Sequence, residues 1–192
     1  MMNRREAIKQ VTALLGGVTL AGTGLLGAVE RAHARAAKAR AQVGAFTAQD
    51  IALLDEVADT ILPETKTPGA KAANCGPFMA LMVTDTYDDN QQAVFRDGVQ
   101  KLTAAGFMTK SPAERLAQLE QLDREAKTYM DSRTQGGGAA PHYFRLIKEL
   151  TLLGYFTSEI GMTQAQRYRE TPARFDPCVP YTPGETSWAG HA

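Results

Sequence analysis

Few residues of this 192-residue chain combine a reactive type with a spacing that chemistry needs. Three histidines are present, and beyond residue 45 they are His142 and His191. A Ser-His-Asp triad would depend on His142, yet no Gly-x-Ser-x-Gly elbow accompanies it. His142 is therefore expected at the surface or at a helix terminus rather than as a general base. Asp85, Asp88 and Asp89 cluster without the alternating oxygen ligands and glycine of a calcium loop, and read as a solvated helix cap. Gly136, Gly137 and Gly138 follow no expected strand, so they fit neither a phosphate loop nor a dinucleotide fingerprint. There is no Cys-x-x-Cys-His pattern for covalent haem, and two cysteines cannot by themselves hold an iron–sulfur cluster. Met79, Met82, Met108, Met130 and Met162 are expected to fill core gaps. The 21 basic and 21 acidic residues cancel, which lacks the basic footprint of a nucleic-acid binder. The residue types argue against a catalyst and against a cofactor in this chain.

The elements that would position these residues are helical. Thr47 and Asp50 form a capping-box pair ahead of Ile51, Leu54, Val57, Ala58 and Ile61, a run that Pro63 ends. A second helix is expected over 77–87 and a third from 89 to about 105, closed by Gly106. Ser111, Pro112 and Glu114 mark a strong start for a fourth, with Leu116, Leu119, Leu122, Ala126 and Tyr129 as its apolar stripe. After the triglycine break, Pro141 opens a fifth through Phe144, Ile147, Leu150, Leu153 and Phe156. No sustained alternation suggests a strand. Pro172, Pro177, Pro180 and Pro183 end regular structure, and the tail that carries them also holds Phe175, Tyr181 and Trp188. The expected fold is all-α: a small irregular domain of about five or six helices over 46–192, with an extended proline-rich C-terminal arm.

All 14 aromatic side chains lie at or beyond Phe46, so the first 45 residues belong to something other than the core. Arg4 and Arg5 precede 19 uncharged residues, 11–29, of which five are glycine and three threonine. A basic start, a mildly apolar stretch and the small-x-small site Ala32, His33, Ala34 describe a secretory signal over 1–34, and the paired arginines resemble the twin-arginine type. An uncleaved anchor is the alternative, since 19 helical residues nearly span a hydrocarbon core of roughly 30 Å. Residues 35–45 read as a leader or linker. Export of this kind implies a folded passenger in the periplasm, carried by the twin-arginine translocase. In that oxidising compartment Cys75 and Cys178 favour a disulfide that pins the arm back to the body. Two unpaired thiols, or a bond to a partner subunit, are the alternatives.

Three stretches carry a family likeness. Residues 61–73 (ILPETKTPGAKAA) follow the Phe46 and Thr47 helix start, residues 149–161 read ELTLLGYFTSEIG, and residues 178–184 read CVPYTPG with Trp188 beyond. Together they resemble the gluconate 2-dehydrogenase subunit 3 family, over roughly residues 46–189. The resemblance implies a non-catalytic accessory subunit with no cofactor of its own. It implies as partner a large flavoprotein of the glucose-methanol-choline oxidoreductase type, carrying FAD and oxidising a sugar or other alcohol. It further implies a cytochrome c subunit with haem c in some complexes, and membrane association through the complex. The expected partner-facing residues are Tyr155 and Phe156 on the fifth helix, and Tyr181 and Trp188 on the arm, because large aromatics anchor interfaces. The competing expectation places Tyr155 and Phe156 in the domain's own core.

Overall fold

Three of the helix starts are written in the same local chemistry. In the computed structural model Thr47, Asp88 and Ser111 each accept a hydrogen bond from the backbone amide three residues on, and the side chains of Asp50, Gln91 and Glu114 each accept one from the cap amide. These reciprocal pairs satisfy backbone donors that a helix start otherwise leaves open. They open α1 (Ala48–Ile61), α3 (Asp89–Ala104) and α4 (Pro112–Asp131). The structure describes residues 43–132, 140–171, 178, 180 and 182–189. The chain divides at residue 42, and the expected signal with Arg4 and Arg5, together with most of the leader, lies outside the described residues. Asp88 is thus a cap, as its acidic cluster suggests.

The two remaining helices start differently from the sequence expectation. α2 (Cys75–Thr86) begins two residues ahead of Pro77, after Asn74 in a left-handed turn at φ 56°. Its cap comes from another helix, since the Asp55 carboxylate of α1 accepts from the Gly76 amide at 2.8 Å. α5 (Tyr143–Phe156) begins after His142 rather than at Pro141, because the His142 ring supplies the cap. α1 stops at the residue pair before Pro63, and Gly106 ends α3 at φ 66° and leads into a 3-10 turn, Phe107–Thr109.

α5 packs on all four other helices, as α1 does, and buries more residues than any of them. Tyr143, Phe144, Leu146, Ile147, Leu150, Thr151, Gly154 and Tyr155 are buried along it. They meet Leu54 and Val57 of α1, Met79 and Val83 of α2, Phe95 and Leu102 of α3, and Leu119 and Ala126 of α4 in one apolar cluster. Thr151, the polar residue of that core, donates to the Ile147 carbonyl at 2.9 Å. Phe46 closes one end, edge-to-face with Phe95 at 5.8 Å. The fold is all-α, and among the described residues β-pairing is confined to two isolated bridges.

The stripe expected on α4 is narrower than its leucines suggest. Leu119 and Ala126 are buried, whereas Leu116 and Tyr129 are exposed. The start of α4 is held instead by Arg115, whose guanidinium donates to the Phe107 carbonyl at 3.1 Å and the Met108 carbonyl at 2.7 Å. The same group pairs with Glu56 of α1 at 2.6 Å. One forked cation therefore ties the 3-10 turn and two helices together.

Candidate partner-binding surface

The stretch 61–73 contains little regular structure, so its backbone groups must be answered from outside. One carboxylate of α1, that of Asp59, does part of this. Besides the Asp55 cap on α2, Asp59 accepts from the Lys71 amide at 3.3 Å and Glu56 pairs with the Lys71 ammonium. Lys71 and Arg115 together hold the Glu56 carboxyl below its ordinary range, against the cost of burial. The Leu62 carbonyl accepts from the Ala70 amide at 2.9 Å, folding the loop on itself. From α5, Tyr155 donates its hydroxyl to the Pro68 carbonyl at 2.8 Å. The first two family-like stretches are thus one structural unit, joined through Tyr155.

Tyr155 is consequently a core residue and not a surface anchor. It is 4% exposed, and its neighbour Phe156 is 40% exposed. The two rings meet edge-to-face at 5.1 Å. The expectation that both face a partner is corrected for Tyr155, because its ring is buried and its hydroxyl is committed to the loop. The alternative that Phe156 fills the core is corrected too. Leu152 and Leu153 accompany Phe156 on the exposed side of α5. The sequence reading places Leu153 in the apolar face and passes over Leu152, because a helix apolar almost all round does not reveal which side is covered. On its covered side Gly154 admits α2, since a β-carbon there would lie 2.6 Å from the Phe78 ring.

Beyond α5, Gly161 opens a single π-helical turn, Gly161–Ala165, tight against the end of α5. A β-carbon at this position would overlap the Tyr155 carbonyl oxygen. The arm then folds back on itself. The Arg167 amide donates to the Ser187 carbonyl at 2.9 Å and the Ala189 amide donates to the Arg167 carbonyl at 2.8 Å. The Arg167 guanidinium pairs with Glu185 and lies 4.4 Å from the centre of the Trp188 ring. Trp188 remains 54% exposed and Tyr168 is exposed as well. Tyr181 lies outside the described residues. Sequence reasoning missed this clasp, because pairing between Arg167 and Glu185 leaves no periodic signal.

The expected disulfide is not formed. Cys75 is fully buried at the start of α2, its thiol directed at the Thr151 carbonyl at 3.9 Å, while Cys178 is exposed on the arm. Burial, and the Asp55 carboxylate beside it, push the Cys75 thiol up to about 11. The Arg167 clasp, not a covalent bond, returns the arm.

His142 sits at the start of α5, where its Nδ1 accepts from the Phe144 amide at 3.3 Å. That is the helix-terminus role expected for it. A groove of about 450 Å³ between α4 and α5 is lined by Asp123, Lys127, Arg145, Lys148, Glu149 and Leu152 among others. Its charges are largely paired within it, Lys148 with Asp123 at 2.7 Å and Arg145 with Glu149. Among the described residues no group of three or more His, Cys, Asp or Glu side chains is placed to hold a metal ion, and no helix is long and apolar enough to cross a membrane.

No curated protein and no solved structure matches this chain. The family model described as gluconate 2-dehydrogenase subunit 3 matches residues 48–172, from the first residue of α1 into the arm. With α1, the loop that Tyr155 holds, α5 and the turn at Gly161 all inside that match, the chain belongs to the gluconate 2-dehydrogenase subunit 3 family.

Proposed function

We propose that this chain is a non-catalytic small subunit that supports the export, folding and stability of a periplasmic FAD-dependent sugar or alcohol dehydrogenase. The observation that carries the reading is the family match over residues 48–172. Its partner in this reading is a flavoprotein of the glucose-methanol-choline type, which holds the FAD, and a cytochrome c subunit with haem c joins some complexes. Arg4 and Arg5 address the folded subunit, with its partner, to the twin-arginine translocase.

The exposed apolar side chains support the partner role. Leu152, Leu153 and Phe156 on α5, with Tyr168 and Trp188 on the arm, are large groups left in water by the chain alone. Scattered apolar residues are ordinary on a surface, but three within five positions of one helix make a contact face. Phe156 and Trp188 are the anchors, with Tyr181 on the same arm as a third. Co-purification from the native host tests the reading. The chain should bring a flavin-containing partner with it, and Phe156→Ala combined with Trp188→Ala should release that partner while leaving the small subunit folded. By itself the chain should oxidise no sugar or alcohol with an artificial electron acceptor. Turnover by the purified chain, or retention of the flavoprotein by the double variant, would overturn the proposal.

A further inference from the structure

α5 contributes more of the core than any other helix, and its first turn hangs on a group that titrates near neutrality. His142 is the N-cap, with extended backbone (φ −62°, ψ 136°), and its Nδ1 accepts from the amide of Phe144, the second residue of the helix. A neutral imidazole can accept at Nδ1 only with its proton on Nε2. An imidazolium donates at both nitrogens and accepts at neither. Protonation therefore removes the cap bond outright. It also places a positive charge at the helix end where the backbone dipoles already point positive.

The ring packs against α4 and α5, and α3 supplies charge nearby. It lies 4.5 Å from the Tyr143 ring on α5 and 5.8 Å from the Tyr129 ring on α4. The Tyr129 hydroxyl donates to the Ala140 carbonyl at 3.1 Å, fastening to α4 the segment that leads into His142. From α3, Lys101 stands 5.5 Å from the centre of the Tyr143 ring and pairs with Asp97 at 2.6 Å. The charged and titratable groups around the cap are thus Lys101 and Asp97 from α3, Glu125 and Tyr129 from α4, and Tyr143 from α5 itself. Glu125 favours the imidazolium and Lys101 opposes it. Burial of the ring is the strongest influence and sets His142 below its ordinary 6.5.

We propose that His142 is a proton-operated cap, which when neutral fastens the first turn of α5 to the end of α4 and when protonated lets that turn open while the remainder of α5 stays packed. The opened turn exposes the ring to water, so it takes up a proton more readily than the closed one. The closed form is accordingly favoured in full above pH 6.5 and loses that advantage as pH falls through the lowered value of the folded protein. The remainder of α5 is unaffected because its buried side chains, from Phe144 to Tyr155, hold it to the core and include no histidine. The inference rests on the geometry of this helix start and is independent of the subunit reading.

Amide hydrogen exchange on the full chain, compared at about pH 7.5 and about pH 5 after correction for intrinsic rates, tests it. Protection of the Phe144 amide should fall about tenfold on acidification, the size expected for loss of an N-cap. Protection of Ile147 and Leu150 should not change. His142→Asn keeps a cap acceptor that does not titrate and should hold Phe144 protected at both pH values. His142→Ala should leave it unprotected at both. Ring nitrogen shifts of the wild type at the higher pH should show the proton on Nε2. Protection at Phe144 that is equal at the two pH values in the wild type, or a proton on Nδ1 at the higher pH, would overturn the proposal.

Discussion

Tyr155 and Phe156 are adjacent aromatic residues with opposite burial, and truncating each in turn separates folding from association. Removing the Tyr155 side chain empties a site that is 4% exposed in the native chain. Deleting a buried aromatic ring costs about 3–5 kcal/mol, and the lost bond to the Pro68 carbonyl adds about 1 kcal/mol. Tyr155→Phe isolates the second contribution and should cost about 1 kcal/mol alone. Phe156 is 40% exposed, so its removal opens no enclosed cavity. Its cost is limited to the covered part of the ring and the edge-to-face contact with Tyr155, together about 1–2 kcal/mol. At about 2–4 °C per kcal/mol for a domain of this size, Tyr155→Ala should lower Tm by about 8–24 °C and Phe156→Ala by about 2–8 °C. Thermal melts followed by circular dichroism on the purified chain give both values. A pull-down of the flavoprotein at a temperature where both variants are folded gives the second axis, on which Phe156→Ala should be the weaker binder. Equal Tm losses for the two alanine variants, or a larger loss at Phe156, would refute the burial argument.

Gly161→Ala should destabilise the chain by about 2 kcal/mol or more in a denaturant melt, because its β-carbon meets the backbone carbonyl of Tyr155 rather than a movable side chain. The Glu56 carboxyl sits below its ordinary 4.5, so its contribution is complete above that pH and lost as pH falls through the folded value. Glu56→Gln should therefore flatten the acid limb of the stability profile, as read by urea midpoints across a pH series. Under native conditions Cys178 should react promptly with an alkylating reagent while buried Cys75 stays protected, and mass analysis after denaturation should then find both thiols modified. Resistance of both cysteines to alkylation in denaturant without reductant would restore the disulfide.

Much of the helical layout is legible in the residues because its starts and stops are local. The capping boxes at Thr47 and Ser111, Pro63 after α1 and Gly106 after α3 each act within a few positions of themselves. The start of α2 was hidden because its cap, Asp55, comes from another helix. The candidate surface was legible only in outline for a related reason. Phe156 and Trp188 stand out as aromatics, but which of Tyr155 and Phe156 is covered depends on where the loop 61–73 comes to rest. That is a matter of Pro68, far away in the chain. The two cysteines misled because compartment chemistry speaks to whether thiols oxidise and not to whether their positions let them meet.

The clasp at Arg167 turns the stretch from 168 to 187 into a closed ring whose ends are fixed by two backbone bonds, an ion pair and a stacked cation. The entropy of closing such a ring grows only with the logarithm of its length, so doubling it costs about 0.6 kcal/mol. Length within the ring is therefore nearly free to vary, whereas Arg167, Glu185 and Trp188 are not. A short insertion in this ring would burden the helical body hardly at all, so any effect of one placed beside Tyr168 or Tyr181 would report on the partner contact and not on folding.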